Sequence, residues 1–372
     1  MMSLTETLRA ALAAGDAVIH IAAVLAPASG GKILPPTYAG AMHNMTPPRE
    51  DGSSAWCSVD SPASFANRVE AAVFAAHPEL APLRVQVGER TVSTLEMPHR
   101  AFDATLRQSV LDGTSWPQTA IAKALSAATP QAAYALLQYD PCMLLLGGWD
   151  STKLGERKQA TRELKLPAAL SVEITATNVL PVQRAGSRID PLGIEGTADN
   201  LVEHADGTLE PYDEDKHDAA LKAPVKAADG NKYPRRVKPS EVNMGNVAPS
   251  LVPKGVIVRG DITLNGVLDL RRLGRYRFAP ASDADVVLLL ALVGLYGVDA
   301  VLRRGLDLRR DCELFAKRAS FELLRPYSEP ERLDLSTVSD DLDTAVVKVA
   351  DHIAKPVVTQ ADAALRKLTG LE

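Results

Sequence analysis

Aromatic residues make up only 5% of the sequence, and cysteine occurs three times, at Cys57, Cys142 and Cys312. An odd number of widely spaced thiols excludes a disulfide framework and a cysteine-built zinc site. Long apolar runs are scarce as well. The longest, Val286 to Val298, is too short to span a bilayer and is broken by glycines, so no membrane partner is expected. Glu6, Arg9 and Asp16 interrupt any signal-like stretch at the N-terminus, and a cytoplasmic protein is the expectation. Standard catalytic signatures are missing: there is no GxGxxG, HExxH or GxSxG. Ala26 to Ile33 has Gly-Gly-Lys but lacks the first glycine and final Ser/Thr of a phosphate loop. No two of the seven histidines stand at ligand spacing. No cofactor, metal site or catalytic residue is therefore expected.

What is present is an ordinary globular composition, 46% hydrophobic and 23% charged over 372 residues, enough for about two domain-equivalents. The net charge of −5 hides an asymmetry. Arg235 to Arg310 holds 13 Lys/Arg against 7 Asp/Glu, a balance of +6, whereas Asp311 to Glu372 holds 8 against 12, or −4. A basic stretch before an acidic tail suits RNA on one surface and a neighbouring protein on another.

Hydrophobic period places the elements. Residues 17–25 are short, continuous and apolar, as a buried strand is. Ser61-Pro62 starts a helix with a capping hydroxyl and proline at its first position, and Phe65, Val69, Ala72, Val73 and Ala76 form its apolar face. A second helix is expected over about 99–110, with Arg100, Asp103 and Arg107 outward. A helical stretch follows over about 117–138, and Cys142–Gly148 reads as a buried strand. Segments 168–177 and 256–270 alternate with period two, a strand signal. Between them, about 185–255 shows no sustained periodicity and many prolines, as a functional or disordered insertion does. A helix (about 283–304), a strand region (about 308–324) and a C-terminal helix (about 340–369) complete the chain. This order fits an α+β fold with a ferredoxin-like sheet. Its divisions are 1–184, an insertion over 185–255, and 256–372.

Several residues invite a functional reading. His20, inside the apolar strand, reads as a hydrogen-bonded structural histidine. His99 beside Arg100 either approaches phosphate or ends a solvated helix in which Asp103 pairs with Arg107. Trp149, in Gly147-Gly148-Trp149-Asp150-Ser151, either stacks a base or edges the core at a turn. Arg271, Arg272, Arg275 and Arg277 surround Tyr276 and Phe278, a mixture found on RNA surfaces and on solvated faces. With few aromatics and no consensus stacking motif, any RNA contact should run through phosphate and sugar.

Seven stretches then recur in one order. They are Val59-Asp60-Ser61-Pro62-Ala63-Ser64-Phe65-Ala66-Asn67-Arg68-Val69-Glu70, Leu95-Glu96-Met97-Pro98-His99-Arg100-Ala101-Phe102-Asp103-Ala104 continuing to Leu106-Arg107-Gln108-Ser109, and Gly148-Trp149-Asp150-Ser151. Ser171-Val172-Glu173-Ile174, Arg188-Ile189-Asp190-Pro191-Leu192-Gly193, Lys238-Pro239-Ser240-Glu241-Val242-Asn243 and Gly245-Asn246 follow. Together they resemble the backbone subunit of the type I CRISPR interference complex of subtype U, also called G, in the RAMP superfamily. The resemblance implies an RNA-recognition-like palm with inserted finger and thumb elements. It also implies a non-catalytic, cytoplasmic homo-oligomer that polymerises along CRISPR guide RNA in an antiviral surveillance complex. The expected partners are the guide RNA, target DNA through the guide, further copies of the chain, a large subunit and the guide-processing subunit. Within the matching stretches the residues expected at RNA are Asn67, Arg68, His99, Arg100, Arg107, Trp149 and Ser151, then Arg188, Lys238 and Asn243. Arg235, Arg236, Arg271 and Arg272 join them by charge. Two rivals stand: a metal-dependent ribonuclease using Asp190 or Asp199 to cut target RNA, and a hydrolase using Ser151 or Ser61 with His99.

Overall fold

Four alternating strands form the middle of the largest sheet in the structure, a computed structural model that describes residues 2–39, 42–150, 164–198 and 200–370. Strand β1 (Val18–Pro27) lies between β3 (Ile262–Asp269) and β4 (Cys312–Leu324), and β3 pairs on its far side with β2 (Leu170–Arg188). All three pairings are antiparallel, giving the order β4-β1-β3-β2. Shorter strands extend it to nine among the described residues, with Ser54–Asp60 on β2 and Leu306–Arg309 on β4. Period two puts Ile19, Ile21, Val172, Ile174, Leu264, Leu268 and Leu323 on the buried side. The pairing of β1 with β4 shifts register between Val24 and Leu25: Val24 faces Arg318 while Leu25 faces Ala316, so Lys317 is an extra residue on β4.

The buried side carries α1 (Pro62–Ala76) and α2 (Asp283–Arg304). Helix α1 starts as its sequence dictates, the Ser61 hydroxyl accepting the N–H of Ser64 and Pro62 taking the first position. Helix α2 is buried without a break from Val286 to Leu295. At 22 residues it is long and apolar enough to cross a membrane, longer than the Val286–Val298 run, but 78% of its apolar window is buried inside the protein. Gly297 lets the two helices approach: a Cβ there would lie 2.6 Å from Cγ1 of Val69. Helices Leu4–Ala14 and Val338–Val349 pack beside α2.

Several expected elements differ. The helix expected over 99–110 is a 3-10 turn (Arg100–Phe102) and a single turn of α-helix (Ala104–Arg107), then a strand, Ser109–Leu111. Asp103 caps the second piece by accepting the Thr105 N–H, and so breaks the run. The stretch 117–138 is split into Ala120–Ala127 and Tyr134–Tyr139 around Pro130. Cys142–Gly148 is mostly helix, Pro141–Leu146: the Asp140 carboxylate accepts the Met143 N–H, and the apolar run is buried on every side. The alternation over 256–270 is two strands, broken after Val258 by Gly260, where a Cβ would meet Thr177 at 2.5 Å. The C-terminal helix is interrupted by a strand, Val357–Ala361, which runs parallel to Leu83–Val87 in a second, five-stranded sheet. That sheet and the N-terminal helix left no signal read from the sequence.

The chain divides into two units, Met1–Leu180 with Val256–Glu372, and Pro181–Gly255. The second unit is not the structureless insertion its sequence implies. Leu201–Glu203, Leu209–Pro211 and Arg235–Val237 form a small antiparallel sheet beside the helix Glu214–Leu221. Val202, Val237 and His217 are the buried residues of this sheet and helix. Strands of three residues are too short to write a period into the sequence.

Candidate nucleic-acid interface

The motif residues that look most available for RNA turn inward. The Asp60 carboxylate, 1% exposed, accepts from Arg68 Nε at 3.0 Å and lies 3.6 Å from a terminal nitrogen of Arg309. The other guanidinium nitrogens of Arg68 donate to the carbonyls of Asp307 and Leu308, tying the start of α1 to the hairpin before β4. Asn67, next to it, is exposed.

Arg100 does the same for the second motif. Its Nε donates to Glu70 Oε1 at 2.6 Å, and a terminal nitrogen donates to the Gly147 carbonyl at 3.0 Å. Glu70 is 1% exposed and burial pushes its carboxyl up to about 7, although Arg100 pulls the other way. Nearby Asp140, fully buried, is raised by burial to about 6 while it accepts the N–H groups of Ala101 and Met143. The same surroundings hold the Cys142 thiol well above its usual range. Arg100 is also a non-glycine residue at φ 51, a left-handed conformation held by these bonds. The outward basic face expected for Arg100 and Arg107 does not exist, because an arginine facing two buried carboxyls is desolvated. Arg107 is half-buried, with an Nε that finds no hydrogen-bond partner among the described residues. His99 is exposed, its N–H donated to Asp103. Ser61, named in the hydrolase reading, uses its hydroxyl as the α1 cap.

The side of the main sheet away from α1 and α2 is open. Cross-strand partners form rows on it: Glu322, His20, Val267 and Ser171; then Ser320, Ala22, Asn265 and Glu173; then Arg318, Val24, Thr263 and Thr175. Ser171, Glu173, Asn265, Val267 and Arg318 are exposed and His20 is half-buried. Phe315, opposite Ala26, is an aromatic on this face that is 56% exposed. Groups this small and mostly uncharged admit a polyanion without reading its bases.

Cations gather at the end of this face where β3 finishes. Asp269 holds Arg271 through two bonds of 2.9 Å and lies 3.5 Å from Arg272, which also donates to the Ala168 carbonyl. Burial opposes these bonds, but the Arg271 hydrogen bond, the largest influence, keeps Asp269 below its usual value. Arg271 and Arg272 stay about half exposed. The preceding hairpin of Gly148–Asp150 with Leu164–Leu166 presents Trp149, 51% exposed, with the Lys165 ammonium 5.5 Å from its ring centre. Glycine is required at 147 (φ 84), where a Cβ would lie 2.9 Å from the Ala168 nitrogen, so the hairpin and the start of β2 are pressed together. Ser151 and Asp199 lie outside the described residues.

In the second unit, Arg188 donates to the carbonyls of Gly245 and Met244. Asp190, the ribonuclease candidate, accepts the N–H groups of Leu192 and Gly245, which hold its carboxyl below the usual range. Asn243 closes a 3-10 turn at φ 60, and Lys238, half-buried, precedes that turn. Arg235 pairs with Glu203 at 2.6 Å, and the Arg236 guanidinium sits 3.7 Å from the Tyr212 ring centre.

Residues 19–181 match the family model for CRISPR-associated protein GSU0053. The likeness to this CRISPR-associated family covers 163 of the 372 residues. No curated protein matches the chain. The matched segment opens on β1 and contains Asp60, Arg68, Glu70, Arg100 and Asp140. Lys165, Arg318 and Phe315 were missed by sequence reasoning. For Arg318 and Phe315 the register shift scrambles the alternation that marks a face. His204 and His217, set aside for lack of ligand spacing, come together with Glu210 across the small sheet and its helix.

Proposed function

We propose that this chain is a non-catalytic guide-RNA-binding backbone subunit that polymerises along the guide and supports target DNA recognition in antiviral defence. The sheet then serves as a ferredoxin-like palm. The succession β1-α1-β2-β3-α2-β4 with order β4-β1-β3-β2 supports this, the second unit being inserted between β2 and β3 as a thumb. The observation that carries the RNA reading is the open sheet face, with Arg271, Arg272, Lys165 and Trp149 at its end. Cations and one ring at the rim of a platform of mostly neutral side chains hold phosphates whatever the base sequence, as a subunit that must accept any guide requires. Guide RNA, further copies of the chain, a large subunit and a guide-processing subunit are its partners in this reading.

The ribonuclease alternative needs a metal-binding carboxylate, and Asp190 is engaged in a backbone turn instead. The test is expression with a repeat-spacer transcript, sizing of the product, and measurement of affinity against salt. Arg271→Glu with Arg272→Glu should weaken two unrelated RNA sequences equally and make the salt slope shallower, by about 0.7 for each phosphate that is no longer neutralised. Weakening for one sequence only, or RNA cleavage with magnesium or manganese by the purified chain, overturns the proposal.

A further inference from the structure

We infer that the second unit carries a zinc site made by His204, Glu210 and His217. His204 directly follows the first strand of the small sheet (Leu201–Glu203), Glu210 lies in the second strand (Leu209–Pro211), and His217 projects from the helix Glu214–Leu221. One ligand atom from each lies within 4.8 Å of the other two. Nε2 of His217 is 3.1 Å from Glu210 Oε2, and the two imidazole centres are 6.3 Å apart. Ligand atoms around a tetrahedral zinc are about 3.3 Å apart, given bonds of about 2.0 Å, so small side-chain rotations close the set.

Two details separate this cluster from a chance meeting of polar groups. First, Nε2 of His204 is buried and has no hydrogen-bond partner among the described residues, a costly state for a ring nitrogen unless something binds it. Second, His217 is ready for either tautomer. Its Nδ1 lies 3.1 Å from the Asp213 amide nitrogen and 3.0 Å from the Asp213 carbonyl oxygen. With Nδ1 accepting, Nε2–H donates to Glu210. With Nδ1–H donating to the carbonyl, the Nε2 lone pair is released toward a metal, the backbone-oriented arrangement of metal-bound histidines. Asp213 is fixed in turn, since its carboxylate caps the helix by accepting the Lys216 N–H. The Lys216 ammonium also contacts Glu210, whose second carboxylate oxygen is a further ligand atom.

Two imidazoles and a carboxylate suit zinc and leave a fourth position for water. The site joins both strands of a hairpin to the helix, in a unit whose buried residues are few. Small units of this kind are commonly stapled by a metal. The inference does not rest on the guide-RNA reading.

The full chain should be purified without metal-affinity steps, equilibrated with zinc and gel-filtered, and its metal measured by mass spectrometry. About one zinc per chain is expected. Cobalt in place of zinc should give the intense visible bands of a tetrahedral site. His204→Asn and Glu210→Gln, at half-buried positions that tolerate change, should each weaken cobalt binding at least about tenfold, whereas His352→Asn should not. Chelation should speed tryptic cutting within residues 181–255. Wild-type protein with no more zinc than the His204→Asn variant, or a His204→Asn variant that keeps its zinc, overturns the site. Unchanged cutting overturns the staple.

Discussion

Replacing Arg100 with methionine separates a structural cation from an RNA contact. The guanidinium faces Glu70 at 2.6 Å and the Gly147 carbonyl at 3.0 Å, with Asp140 also within its field. Methionine keeps much of the stem's volume and removes the charge. At pH 8 wild-type Glu70 and Asp140, raised to about 7 and about 6, are mainly ionised, so the variant leaves buried carboxylates without their cation. That costs about 3–5 kcal/mol. At pH 5 both carboxyls are largely protonated, and the loss shrinks to the unmet carbonyl, about 1–3 kcal/mol. The sign follows from linkage. A carboxyl whose folded value lies above its unfolded one destabilises the fold as pH rises from the unfolded value toward the folded value. Wild-type stability therefore falls through this cluster between about pH 4 and 7. Without Arg100, which lowers both values, the fall is steeper and reaches higher pH. Urea unfolding of both proteins at pH 5 and pH 8 measures this, and the gap at pH 8 should exceed that at pH 5 by about 2 kcal/mol. An equal loss at both pH values refutes the reasoning. So does a variant of wild-type stability that no longer binds RNA.

Asp60→Ala should cost about 3–5 kcal/mol in urea unfolding, because it leaves Arg68 and Arg309 facing an apolar gap; a loss under about 1 kcal/mol contradicts the ion-pair assignment. Gly297→Val forces a Cβ to within 2.6 Å of Val69 and should lower stability by at least about 2 kcal/mol, against near neutrality if α1 and α2 can part. Cys57 and Cys312, pushed up to about 12 and about 11 by burial, should resist Ellman's reagent with buried Cys142 until urea unfolds the chain, and fast reaction of any one disproves its burial.

How much of this was legible in the sequence depended on length of pattern. β1, the cap of α1, the start of β2 and the span of α2 were readable because an alternating or helical period ran long enough, or because Ser61-Pro62 carried its own geometry. The all-apolar Cys142–Leu146 has no period to read, and only the Asp140-Pro141 cap marks it as helix. Strands of two and three residues in the second unit fall below any window. At the candidate site, the identity of Arg68 and Arg100 gave no hint of direction. Each owes its inward turn to a carboxylate elsewhere in the chain, Glu70, 30 residues off, for Arg100 and Asp60, 8 residues off, for Arg68. Arg271 and Arg272 stay outward because Asp269 sits at the rim, a local pairing that sequence can suggest.

The extra residue on β4 sets how this strand tolerates insertion and deletion. Phe315 and Arg318 stand an odd number of residues apart, yet both lie on the open face, because Lys317 sits outside the pairing between them. Deleting Lys317 would join Ala316 to Arg318 and restore an unbroken ladder in which each residue keeps its partner. Phe315 would stay on the open face opposite Ala26, and Phe321 and Leu323 would stay in the core. The bulge is therefore the place where β4 can lose one residue without exchanging its faces, and the loss would remove the extra local twist instead.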